Sequence, residues 1–314
     1  MKTHADCLPC LLRQALQVAR INNCSEAQQL HILQAVSSVI AGLDLMKSPP
    51  ASAHPIYQKI AEITGCEDPY YEKKLESNEQ AMRIIPGLRQ EIWGTDHELS
   101  LAVRFAIAGN IIDYGAFETF DIEAALERCR AAKLAVDHFP QFFDAIGRLV
   151  KGSKVLYLTD NCGEIIFDSL LVEYLHRRGF DITIAVKDGP IINDALLEDA
   201  LAAGLDKYGR IITNGGRFPG TELGECSRQF LGFFNAADMV IAKGQGNFES
   251  LSEVDREVFF LLTIKCAVAA QHMAELSGVN PDQLTGKGEM AVYYSGPGKR
   301  ENKPGLISVP PRGV

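Results

Sequence analysis

Apolar positions recur at helical spacing through the first half of the chain and gather into short β-rich runs in the second. Leu8, Leu11, Leu12, Ala15, Leu16 and Ala19 fall three or four apart, which is one face of a helix. Ser25 followed by Gln28 has the form of a capping box opening a helix from Glu26 to Leu43. Leu30, Ile32, Leu33, Val36, Val39 and Ile40 supply its apolar stripe. Pro49 and Pro50 then break the chain. Further helices are predicted near 56–63, 69–84, 98–108, 122–133 and 139–150, punctuated by Pro86-Gly87, Gly94 and Gly109.

From Lys154 the pattern changes. KVLYLTD is a short strand, and EIIFDSLLVEYLHRRG is an amphipathic helix closed by Gly179. DITIAVK is a second strand, followed by a helix over 194–203. RIIT is a third and ADMVIAK a fourth, while EVFFLLTIK reads equally as a strand or a buried helix. Alternation of strand and crossover helix predicts an α/β layer with a largely parallel sheet. The expected organisation is a helical domain over 1–150 and an α/β domain over 151–294. A Gly-, Pro- and Lys-rich tail over 295–314 is expected to be poorly ordered.

Composition narrows the function classes. With 46% hydrophobic and 23% charged residues, wholesale disorder is excluded. The 31 basic residues against 40 acidic ones leave a net charge of −9, which speaks against a phosphate-backbone footprint and so against nucleic acid. Small anions respond to a local site, not to this sum. No apolar run approaches the roughly 20 residues of a membrane-spanning helix. MKTHADCLPC carries polar residues where an export signal has its apolar core. Eight scattered cysteines do not form a secreted disulfide framework, so a reducing, cytoplasmic setting is expected.

In an open α/β sheet, ligands collect beyond the carboxyl ends of the strands. Those ends read Thr159-Asp160-Asn161-Cys162-Gly163-Glu164, Lys187-Asp188-Gly189-Pro190 leading to Asn193-Asp194, Thr213-Asn214-Gly215-Gly216, and Lys243-Gly244-Gln245-Gly246-Asn247. The fifth run ends at Lys265. Asp160, Asn161 and Asp194 are hard oxygen donors of the kind Mg²⁺ or Mn²⁺ prefers. Gly163 and Glu164 open a helix whose first N–H groups suit an anion. The glycine-rich Lys243-to-Asn247 turn offers close backbone approach, and Lys265 a compact positive charge. Any one of these is also an ordinary turn or a solvated lysine. Four strand ends in agreement favour a phosphate site.

These residues carry a resemblance. DNCGEIIFD (160–168), VKDGPIINDA (186–195) and ADMVIAKGQGNFE (237–249) resemble the signature blocks of the DUF89 family, known as metal-dependent damage-control phosphatases. CLPCLLRQAL, DPYYEKK (68–74) and AGNIIDYG (108–115) resemble its microbial stand-alone subfamily, which carries an amino-terminal CxxC. The resemblance implies a helical domain packed on a three-layer α/β/α sandwich. It implies a divalent metal (Mg, Mn, Co or Ni) held by Asp160, Asn161 and Asp194, and substrate phosphate met by Lys265. Leu262 stands where eukaryotic subfamilies have arginine, and Cys162 where the signature has alanine. Beside the resemblance, Asn110 and Asp113 lie one helical turn apart and are expected to reach substrate across the cleft.

The resulting expectation is a metal-dependent phosphomonoester hydrolase acting on a small phosphorylated metabolite, such as a sugar phosphate or a damaged phosphometabolite. Its catalytic residues are Asp160, Asn161 and Asp194. Glu164, Asn110, Asp113, Asn193, Lys243, Gly244 and Lys265 are expected at the substrate. A metal-activated water and direct attack by Asp160 or Asp194 both remain open as the chemical step. The chain lacks the Asp-x-Asp block of haloacid-dehalogenase phosphatases, which weighs against the second. Two rival readings are an S-adenosylmethionine-dependent carboxyl methyltransferase and a non-catalytic phosphometabolite binder. Cys7 and Cys10 form a lone CxxC, read as packing, as a redox pair, or as half of a metal site.

Overall fold

The computed structural model describes residues 1–109 and 122–296. Its first three helices are α1 (Cys7–Ile21), α2 (Glu26–Ala41) and α3 (Pro49–Thr64). The capping box forms as expected, with the Ser25 N–H donating to Gln28 Oε1 at 2.9 Å. Pro49 and Pro50 do not merely break the chain. They start α3, where a missing N–H has no helical partner to lose, and Ser48 caps them by accepting the Ala51 N–H at 3.1 Å. The three helices bury Leu11, Val18, Ile32, Val36, Ile56 and Ile60 in a cluster of their own.

Four more helices follow: α4 (Tyr71–Ile92), α5 (Glu98–Ala108), α6 (Ile122–Ala131) and α7 (Phe139–Arg148). Helix α4 runs through Pro86, where the sequence pattern ends it. Its buried stripe of Ala81, Ile85, Leu88 and Ile92 continues on both sides of the proline, and packing carries the helix past the lost hydrogen bond.

The sheet is built from β1 (Val136–Asp137), β2 (Lys154–Leu158), β3 (Asp181–Val186), β4 (Arg210–Thr213), β5 (Met239–Lys243), β6 (Val258–Ile264) and β7 (Glu289–Ser295). Between strands lie α8 (Glu164–Arg177), α9 (Leu197–Ala202), α10 (Arg228–Ala236), α11 (Gly244–Leu251) and α12 (Ala267–Ser277). The spatial order is β1-β7-β6-β5-β2-β3-β4. Every pair is parallel except β6–β7. The ambiguous run EVFFLLTIK is strand β6, buried at all seven positions because it has neighbours on both edges. Ser295, where the sequence pattern starts the tail, ends β7, and its hydroxyl accepts the Val258 N–H at 3.1 Å.

Alternating side chains divide the sheet between two helical layers, so the α/β/α sandwich is present. Val155, Tyr157, Ile182, Ile184, Ile241 and Leu261 face α4, α5, α7 and α8. Leu156, Leu158, Val240, Ala242, Phe260 and Leu262 face α10, α11 and α12. The order reverses between β2 and β5: β3 and β4 build outward on one side, β6 and β7 on the other. A crevice opens beyond the carboxyl ends of strands at such a switch. Asp160 and Gly244 stand there. Among the described residues no helix is long and apolar enough to cross a membrane.

Candidate active site

Two loops meet beyond β2 and β3. The segment after β2 gives Asp160 and Asn161, and the segment after β3 gives Asn193 and Asp194. Asn161 and Asp194 pair as an isolated antiparallel bridge. On either side, the Cys162 N–H donates to the Asn193 carbonyl and the Ala195 N–H to the Asp160 carbonyl, both at 2.8 Å. Two residues before Asp194, Ile192 holds φ at +47°, a conformation that β-branched side chains rarely adopt. Such strain collects where surrounding contacts fix a functional loop. Cys162 sits in the same seam and directs its thiol at the Asp194 carbonyl, 3.7 Å away, so the exchange of alanine for cysteine leaves the loop pairing in place.

The third strand end closes the site from β5. Gly244, at φ +77°, lies so near Asp160 that an added Cβ would stand 1.9 Å from Asp160 Oδ2. The Lys243-to-Asn247 segment is not a turn. It is the first turn of α11, and the Asn247 side chain anchors it by donating to the Thr159 carbonyl at 3.0 Å and the Lys243 carbonyl at 2.8 Å. Two glycines in five residues concealed a helix that begins directly on the strand.

Asp160, Asn161, Asn193 and Asp194 are all buried. Burial first, then the charges of Glu164 and Asp194, push the Asp160 carboxyl well above its usual range, while Lys187 and Lys265 oppose the shift. Lys187 follows β3, buried, with Nζ donating to the Gly220 carbonyl at 2.8 Å and lying 3.4 Å from Asp194 Oδ2. Lys265 follows β6 and is exposed, and its N–H donates to Gln245 Oε1 at 2.8 Å.

Glu164 and Lys243, offered to substrate by the sequence reading, are bound to each other. Lys243 has no solvent exposure and donates to Glu164 Oε1 at 2.5 Å, Asp168 Oδ1 at 2.6 Å and the Ala106 carbonyl of α5 at 2.7 Å. The N–H groups opening α8 are also used within the protein. Gly163 donates to Asn78 Oδ1 at 2.7 Å and Ile165 to the Asn161 carbonyl at 3.0 Å, so these two do not face an anion. Asn110 and Asp113 lie outside the described residues. The last described residue before them, Gly109, presses on Glu164, with an added Cβ 3.0 Å from the Glu164 Cα.

Sequence reasoning placed Lys187 at a strand end without a role, and missed Asp168, Asn78 and Asp199. Asn78 bridges the site to α9, its Nδ2 donating to Asp199 Oδ1 at 2.6 Å while Asp199 Oδ2 accepts the Leu196 N–H at 2.8 Å. Asp168 was the most legible of these. Glu164 and Asp168 lie four apart in the apolar first turns of α8, so they share one face, and two carboxylates buried there require a cation.

Among the described residues no three His, Cys, Asp or Glu side chains gather as a metal cage. The Asn161–Asp194 bridge joins the two segments that carry two carboxylates and one amide, and Gly244 packs against Asp160. That set fits a hard divalent cation that keeps several positions for water or phosphate oxygens. Cys7 and Cys10 lie half-buried on α1, and burial raises the Cys7 thiol above its ordinary value.

Known proteins share this fold and much of this sequence. The family model described as the damage-control phosphatase ARMT1-like domain matches residues 3–278. A damage-control phosphatase of Pyrococcus horikoshii is 36% identical over 282 residues, covering 87% of this chain and 94% of that protein. One from Archaeoglobus fulgidus is 33% identical over 292 residues, covering 91% and 99%. The crystal structure of a DUF89 family protein from Pyrococcus horikoshii superposes with a TM-score of 0.81 at 32% identity, covering 94% of this chain and all of that one. The chain belongs to the damage-control phosphatase ARMT1-like family.

Proposed function

We propose that this phosphatase hydrolyses small phosphate esters, sugar phosphates or damaged phosphometabolites, with a divalent cation held by Asp160, Asn161 and Asp194. The observation that carries the reading is the backbone bridge between Asn161 and Asp194, from two separate strand ends, with Gly244 packed on Asp160 at the switch point of the sheet. When bound, the cation supplies an activated water and offsets charge on the phosphoryl oxygens. Asp160 and Asp194 balance the cation with two negative charges, and Asn161 adds a neutral oxygen. Lys187, beside Asp194, fixes that carboxylate and lowers the repulsion between the two aspartates. Lys265, exposed at the rim and felt electrostatically at Asp160, meets the substrate dianion as it enters.

The competing methyltransferase reading finds less support. A nucleoside cofactor would need a glycine-rich turn after β2, and that position holds Asp160 and Asn161, followed by a single glycine whose N–H is taken by Asn78. The test is phosphate release from a panel of sugar phosphates by chelator-treated protein, with and without Mn²⁺, Mg²⁺, Co²⁺ or Ni²⁺ restored. Release that depends on added cation supports the proposal. Equal release with chelator present refutes the metal requirement, and cation binding without any release leaves the non-catalytic binder.

A further inference from the structure

We infer that Lys243 is a positioning residue for Asn161, acting through Glu164, and this rests on the ligand set proposed above. Lys243 is among the largest fully buried side chains of the protein. Its three ammonium protons meet Glu164 Oε1, Asp168 Oδ1 and the Ala106 carbonyl, at 2.5, 2.6 and 2.7 Å. Ala106 belongs to the last turn of α5, so the charge also faces the negative end of that helix. Asp168 is held in turn by the Tyr157 hydroxyl at 2.8 Å. With three protein acceptors in place, this ammonium has no reach to a substrate.

Its effect passes through the other oxygen of Glu164. Glu164 Oε2 accepts from Asn161 Nδ2 at 3.4 Å, and the same Nδ2 donates to Asp160 Oδ2 at 2.8 Å. A terminal amide has two ends of similar shape, and only one of them can ligate a cation. Here two carboxylates take the NH₂ end, which leaves the carbonyl oxygen Oδ1 as the end for a cation. Lys243 fixes the carboxylate that makes that choice. The relay runs Lys243, Glu164, Asn161, and its product is the orientation of one amide.

The test is Mn²⁺ binding to chelator-stripped protein, followed by electron paramagnetic resonance of the free ion, with thermal melting as the fold control. In Glu164→Gln, Lys243 claims the introduced amide oxygen and leaves an NH₂ opposing the NH₂ of Asn161. Asn161 must then turn over, and Mn²⁺ affinity is expected to fall about 10–100-fold. In a chain that also carries Asn161→Asp there is no NH₂ end to misplace. Glu164→Gln should then change affinity less than about threefold. A merely structural Glu164 would cost the same in both backgrounds. Lys243→Met should weaken Mn²⁺ binding in the same direction, and if that variant fails to fold the Glu164→Gln pair still decides. Wild-type-like affinity in Glu164→Gln, or an equal loss in both backgrounds, overturns the relay. Absence of Mn²⁺ binding by the unmutated chain overturns the ligand set itself, and the relay with it.

Discussion

Asn161 and Asp194 face each other across an isolated antiparallel bridge, although one follows β2 and the other follows β3. The flanking backbone bonds, Cys162 to Asn193 and Ala195 to Asp160, make the two loops one short ladder. Fixed main chain on both sides holds the segments that carry Asp160, Asn161 and Asp194 against each other. Burial first, and then the charges of Glu164 and Asp194, raise the Asp160 carboxyl there.

Removing either charge should therefore separate activity from stability. Asp160→Asn or Asp194→Asn is expected to abolish cation-dependent phosphate release. The metal-free Asp160→Asn variant should melt at or above the unmutated chain, because it deletes one member of a buried like-charge pair, a gain of about 1–2 kcal/mol. Asp194→Asn also takes the ion partner from buried Lys187 and carries no such gain. Activity assays beside thermal melts in chelator check both halves. Unfolded variants would show these aspartates to be structural.

Gly244 should tolerate no side chain. Its positive φ costs a non-glycine residue about 1–3 kcal/mol, and the added methyl would displace the Asp160 carboxylate. Gly244→Ala is expected to lose stability and at least tenfold in Mn²⁺ affinity together. The neighbouring Gly246→Ala is no control, since its Cβ would strike the Pro219 carbonyl at 1.7 Å. Gly224→Ala, with open space around it, serves as one. Calorimetry on the three chains measures both quantities.

Lys265→Ala should raise KM for a phosphate ester and lower kcat, for a combined loss of about 2–4 kcal/mol in kcat/KM. Lys265→Arg should recover only part, because a planar fork does not replace a compact charge. Metal affinity measured without substrate should hardly change. A kcat/KM within about twofold of the unmutated chain would leave Lys265 as an ordinary surface lysine.

Much of this was legible in the chain. The strand ends carrying Asp160, Asn161 and Asp194 followed from short apolar runs that stop at polar residues, and the run after Lys154 foretold the parallel layers. Other features depend on tertiary context that no local pattern holds. Two residues, Val136 and Asp137, are too few for a period, and β1 exists because β7 lies beside it. Strand β7 in turn requires the open edge of β6. Lys243 reads from sequence as a cation on a glycine-rich turn. Its inward course is set by the acidic pair on α8 and the end of α5, one before it and one far earlier in the chain.

One pH effect lies beside the site, on α11. Burial pushes the Glu249 carboxyl from 4.5 up to about 7, even though Gln245 Nε2 donates to it at 2.8 Å. A carboxyl raised in this way binds more protons folded than unfolded. The stability it confers is complete below about pH 4.5 and is lost as pH rises through about 7. Glu249→Gln should therefore match the unmutated chain near pH 4.5 and exceed it at pH 8 by up to about 3 kcal/mol. Denaturant unfolding at the two pH values checks it.

The most direct measurement is an anomalous difference map from crystals of this protein grown with Mn²⁺. A single strong peak in contact with side-chain oxygens of Asp160, Asn161 and Asp194, beside Gly244, is the predicted result. A peak bound elsewhere, or strong Mn²⁺-dependent phosphate release with no density at those three residues, would contradict it.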